Sequence, residues 1–148
     1  MTKLQVLVVM LCTMLASCTT FRTPHDVSFQ DAPCIIPIKG FLFKTCSDMH
    51  VYVDNSLIVV PAGYKTDLAS IPRVFWNILP PQQANFIAPA ILHDYLYATG
   101  YASRKYDDDV LYSALRSQGT MWITANVMWL GVRCGGSKHY ATSEIHSE

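Results

Sequence analysis

Residues 51–60 read Val51-Tyr52-Val53-Asp54-Asn55-Ser56-Leu57-Ile58-Val59-Val60. Two runs rich in β-branched side chains, which pack well on a pleated surface, flank Asp54-Asn55. Asp54-Asn55 is a turn signal, so the stretch predicts two antiparallel strands joined at that pair. Upstream, Phe41, Phe43 and Thr45 alternate with other residues. They extend the pattern to a small antiparallel β-meander between Gly40 and Val60, closed by Pro61-Ala62-Gly63.

Beyond Gly63 the signals are those of helices. Ser70 caps a short helix with Pro72 in its first turn, stopped at Pro80-Pro81. A second helix covers Ala88 to Ala98 and closes at Gly100. Ser103 caps a third that ends near Gly119, and Thr120 opens a fourth that ends at Gly135-Gly136. Strands first and about four helices after predict an α+β fold.

At the other end, Lys3 precedes an apolar run from Leu4 to Leu15, and Ala16-Ser17-Cys18 follows. The run is shorter than the roughly 20 residues that span a bilayer, so it reads as an export signal. Small residues before a cysteine resemble a bacterial lipoprotein signal, which implies cleavage before Cys18 and its lipidation with diacylglycerol and a third acyl chain. An ordinary cleaved signal with an incidental Cys18 is the alternative. Thr19, where an Asp would signal retention in the inner membrane, points to the periplasmic face of the outer membrane. The chain then divides into a signal peptide 1–17, a proline-marked tether 18–37, one α+β domain 38–136 and a flexible tail 137–148.

Eleven Lys and Arg balance eleven Asp and Glu without a basic block, which argues against a nucleic-acid partner. About 130 residues remain after the signal, enough for one domain. Of five cysteines, Cys12 leaves with the signal and Cys18 takes lipid, leaving Cys34, Cys46 and Cys134. Cys34 and Cys46 are the nearest pair, although spacing alone leaves the connectivity open. No Cys/His spacing resembles a zinc site.

The helix from Ala88 to Ala98 is apolar almost all round except for His93-Asp94. Helical spacing puts His93 and Tyr97 on one face and turns Asp94 about a quarter turn away. Asp107-Asp108-Asp109 on the next helix are candidate partners. Asp108 runs along the apolar stripe of Leu111 and Leu115, Asp107 lies on its other edge, and Asp109 falls with Ser113 and Arg116 on the solvent side. An inward Asp108 would orient His93 and favour its charged form. On spacing alone, a structural His–Asp bond between two helices accounts for the pair as well. Asp67, in the loop after the strands, either converges on His93 or satisfies a turn. Thr120 to Val132 is apolar on nearly every side, which suits core burial or a Trp-bearing face resting on a membrane.

His93-Asp94-x-x-Tyr97, followed by an Asp on the next helix, is similar to the active-site signature of phospholipases A2. That resemblance implies His93 as general base, Asp94 as a Ca²⁺ ligand, and Tyr97 and Asp108 as supports. The glycine-rich calcium loop of those enzymes has no counterpart here, the nearest stretch being Pro61-Ala62-Gly63-Tyr64. A broader resemblance rests on Val60-Pro61-Ala62-Gly63-Tyr64-Lys65-Thr66-Asp67-Leu68-Ala69-Ser70-Ile71-Pro72, Leu92-His93-Asp94-Tyr95-Leu96-Tyr97, and Ser103-Arg104 with Asp108. These blocks look like an uncharacterised domain family common in tailed phages and prophages. The expectation is an envelope lipoprotein that binds or blocks, as in superinfection exclusion, with an envelope protein or phospholipid as partner. A membrane-tethered hydrolase with His93 as base and a divalent cation near Asp94 and Asp67 is the alternative.

Overall fold

The computed structural model describes residues 22–40, 42–68, 84–136 and 140. The signal peptide, Cys18 and the short helix expected from Ser70 to Pro80 lie outside them. Six strands come first: β1 Val27–Phe29, β2 Ile35–Lys39, β3 Leu42–Thr45, β4 Met49–Val53, β5 Ser56–Val60 and β6 Lys65–Thr66. Three helices follow: α1 Ala84–Thr99, α2 Arg104–Ser117 and α3 Trp122–Gly135. The fold is α+β.

Antiparallel β4 and β5 meet as expected, with Val53 opposite Ser56 and Met49 opposite Val60. Asp54 and Asn55 take φ of 48° and 66°, the two successive left-handed residues that match the twist of a two-residue hairpin. Met49, Val51, Val53, Ile58 and Val60 are buried, whereas Tyr52 and Leu57 point outward. The strands do not make one meander, however. They form two three-stranded antiparallel sheets, ordered β1-β4-β5 and β2-β3-β6. The reason is non-local: β1 pairs on the free edge of β4, and β6 returns to β3. A Cys34–Cys46 disulfide joins the chain before β2 to the chain after β3, with Cα atoms 5.4 Å apart.

Among the described residues there are three helices, matching the expected second, third and fourth, and the expected first lies outside those residues. α1 starts at Ala84, four residues before the expected Ala88, and carries Pro89 inside it. Tertiary packing outweighs the missing N–H: Phe86, Ala88, Ala90 and Ile91 are all buried. Ser103 caps α2 as expected, its hydroxyl accepting from the Tyr106 amide at 3.2 Å. Gly100 follows α1 at φ 58°, a left-handed position that costs glycine little.

α2 touches α1, α3 and β1. One apolar cluster joins the hairpin to α1 and α2 through Val51, Ile58, Ile91, Leu92 and Val110. A second joins the helices through Phe86, Leu111, Leu115, Ala125 and Met128. α2 therefore has almost no wet side over its first half.

The segment read as a tether is docked from Arg22 onward. The Thr23 amide donates to Asp109 (2.9 Å) and the His25 amide to Ser113 Oγ (3.1 Å). The Asp26 amide and the His25 ring both engage Asp54 at the hairpin turn, at 2.9 and 2.6 Å. β1 and the start of β2 also fall inside the span 18–37. In the expected tail, Tyr140 is likewise held, its hydroxyl donating to Ala102 O at 2.6 Å. Prolines and sparse apolar residues suggested a loose chain, but backbone N–H groups and single aromatics found partners on distant elements.

Candidate functional site

His93 and Tyr97 leave α1 on one face, one turn apart, and meet Asp108 of α2. His93 Nε2 lies 3.1 Å from Asp108 Oδ1, and the Tyr97 hydroxyl donates to the same oxygen. Arg133 of α3 donates to Asp108 Oδ2 at 2.9 Å, with Arg104 Nε at 3.9 Å. Burial works to raise the Asp108 carboxyl, but hydrogen bonds from His93, Tyr97 and Arg133 outweigh it and hold it below the ordinary value. An ionised carboxylate only accepts, so His93 donates through Nε2. Burial, then Asp108, pushes the Tyr97 hydroxyl above its usual range.

The predicted trio of His93, Tyr97 and Asp108 is thus assembled, and it is enclosed. His93 is 3 % exposed and Asp108 0 %. Arg133 was missed by sequence reading. It flanks the apolar stripe of Ala125, Met128, Trp129 and Val132, and a cation beside such a stripe is the signal that a buried acid lies opposite. Arg104 does double duty, donating to the carbonyls of Val132 and Arg133 and closing the end of α3.

Both neighbours of Asp108 are buried at 0 % exposure. Asp109, expected on the solvent side, instead accepts from Trp129 Nε1 (3.0 Å), Lys105 Nζ (2.6 Å) and the Thr23 amide. Three donors offset the loss of water. Asp107 has no such shell: neither of its oxygens has a hydrogen-bond partner among the described residues, and burial pushes its carboxyl up to about 6.

Asp94 turns the other way. It accepts from Thr66 Oγ1 of β6 and lines a cavity of about 730 Å³ together with Leu42, Tyr64, Lys65, Thr66 and Asp67. Burial raises the Tyr64 hydroxyl above its ordinary value, and Asp94 and then Asp67 raise it further, so both carboxylates act on one phenol. After Asp67 the chain turns through Leu68 at φ 53°, a conformation costing about 1–2 kcal/mol for a non-glycine residue. The Leu68 side chain is 2 % exposed in the core, and that burial holds the turn.

The two predicted metal ligands therefore share the cavity, apart from the His93–Asp108 cluster. Their chemistry suits a cation. Calcium takes about 6–8 oxygens, and two carboxylates with a threonine hydroxyl fall short of that shell. Among the described residues no group of three or more His, Cys, Asp or Glu side chains could hold a metal.

Residues 44–132, from within β3 almost to the end of α3, match the family described as Protein of unknown function (DUF1353). The chain belongs to this family. The DUF1353 segment contains Asp67, His93, Asp94, Tyr97 and Asp108, with Arg133 one residue beyond it. A relative, the uncharacterized protein y4jT of Sinorhizobium fredii (strain NBRC 101917 / NGR234), is 30% identical over 109 residues. The match covers 72% of this chain and 32% of that protein, so the DUF1353 chain spans about a third of its relative's length. No solved structure matches this chain.

Proposed function

We propose that this protein is an envelope lipoprotein of phage or prophage type, anchored through Cys18 at the periplasmic face of the outer membrane, that acts by binding or blocking. Superinfection exclusion is the activity this reading favours. The observation that carries it is the enclosure of the His93–Asp108–Tyr97–Arg133 cluster. A general base must reach the proton it removes, and a ring 3 % exposed is placed to join helices. The cavity bearing Asp94 and Asp67 is the surface this reading assigns to recognition, with membership of DUF1353 and the phage-type motifs supporting the setting.

One observation favours the second reading, a phospholipase A2-like hydrolase: His93 and Tyr97 share Asp108 Oδ1 as the signature requires. One experiment separates the two. A host expressing the protein is challenged with phage, and plating efficiency is compared for wild type, His93→Gln and Asp94→Asn, each checked for folding by thermal melt. Binding predicts that folded His93→Gln still protects, and that vesicles release no fatty acid with or without Ca²⁺. Release that disappears in folded His93→Gln overturns the binding reading. For the anchor, intact-mass spectrometry is expected to find diacylglycerol on Cys18, and an unmodified or disulfide-bonded Cys18 overturns it.

A further inference from the structure

Met121, Trp122 and Ile123 at the start of α3 are 65 %, 61 % and 50 % exposed, although the next turns bury Ala125, Met128, Trp129 and Val132. Met121 occupies the N-cap and its side chain makes no capping hydrogen bond. A Ser, Thr, Asp or Asn there would stabilise the helix by about 1 kcal/mol. Internal stability therefore accounts neither for three outward apolar side chains nor for the absent cap. Beside them sits a cation: Arg116, exposed at the end of α2, donates to Thr120 O at 2.6 Å.

Arg22, on the Cys18 side of the described chain, sits at the same spot. Arg22 donates to Asn126 Oδ1 (2.8 Å), and Asn126 Nδ2 donates to Trp122 O (2.8 Å), so one side chain links Arg22 to the apolar turn. The Arg22 guanidinium is fixed further by lying 3.4 Å from the Tyr112 ring centroid. Cys18 is four residues before Arg22, a stretch that reaches at most about 14 Å. A bilayer holding the Cys18 lipid therefore lies within that reach of Arg22.

We propose that Met121, Trp122 and Ile123 insert into the phospholipid monolayer that carries the Cys18 lipid, with Arg116 at the anionic headgroups. The domain then lies on the membrane with the first turn of α3 downward instead of swinging on a loose tether. A Trp flanked by apolar residues and a cation suits the boundary between acyl chains and headgroups. The anchor in this proposal rests on the lipoprotein reading, whereas the contact surface itself does not.

The test uses the full lipidated protein in phosphatidylethanolamine–phosphatidylglycerol vesicles whose acyl chains are brominated. Bromine quenches nearby indoles, and the difference between wild type and Trp122→Phe reports on Trp122. A quench that falls clearly in Trp122→Phe is expected; equal quenching in both overturns the proposal. If intact mass shows no lipid on Cys18, the anchor reading fails by itself and the non-lipidated Cys18→Ser protein decides the surface. Its vesicle binding should then weaken about tenfold in Trp122→Ser, the effect of losing one partly buried aromatic. No binding, or binding that Trp122→Ser leaves unchanged, overturns the surface. A Trp122→Ser change that converts a dimer to a monomer while leaving vesicle contact intact assigns the turn to self-association and also overturns it.

Discussion

Asp107→Asn should stabilise the protein at neutral pH relative to acid pH. Asp107 is 0 % exposed, and neither carboxylate oxygen has a hydrogen-bond partner among the described residues. Burial raises its carboxyl from 3.8 to about 6, with His93 opposing the shift and Asp108 adding to it. The folded state thus keeps a proton that the unfolded chain releases between about pH 4 and pH 6. Below that window the group is neutral in both states and exacts no penalty; above it the folded protein carries an ill-solvated charge. A separation of about two pK units amounts to about 3 kcal/mol. Asparagine never ionises, so the gain over wild type should be about 2–3 kcal/mol larger at about pH 7.5 than at about pH 4. Any packing or amide cost of about 1–3 kcal/mol is the same at both pH values and cancels in the difference. Urea unfolding of both proteins at the two pH values measures it. A difference that does not change with pH would refute the reasoning, because Asp107 would then be comfortably ionised in the fold.

Asp108→Ala should destabilise by about 3–5 kcal/mol in the same urea assay, since it removes the buried acceptor that His93, Tyr97 and Arg133 share. Because its folded carboxyl sits below the ordinary value, the stability Asp108 supplies is present above pH 4 and fades as the pH falls through its folded pKa, opposite in sign to Asp107. Replacing Cys34 and Cys46 with alanine should cost about 2–4 kcal/mol in the urea assay by freeing the loop they close, and an unchanged midpoint would refute it. Asp109→Ala should speed hydrogen exchange at the Thr23 amide, its partner at 2.9 Å, before it affects the hairpin amides.

What could be read along the chain was whatever depends on neighbours within about one helical turn or one tight turn. The hairpin at Asp54-Asn55, the Ser103 cap, the glycine after α1, and the alignment of His93 and Tyr97 on one face with Asp108 along the inner stripe all belong to that class. Only the tertiary structure decided what lies against them. Asp109 has the spacing of a solvent-facing residue, yet Trp129 and Thr23, the latter 86 residues away, close over it. The pairing of β1 with β4 made two sheets of an expected meander, and Arg133 came to Asp108 from a third helix. Burial is a property of the assembled surface, and no local period encodes which distant element will cover a given face. For that reason the sequence could nominate His93 and Asp94 together, while packing sent one into an enclosed helix junction and the other into a cavity.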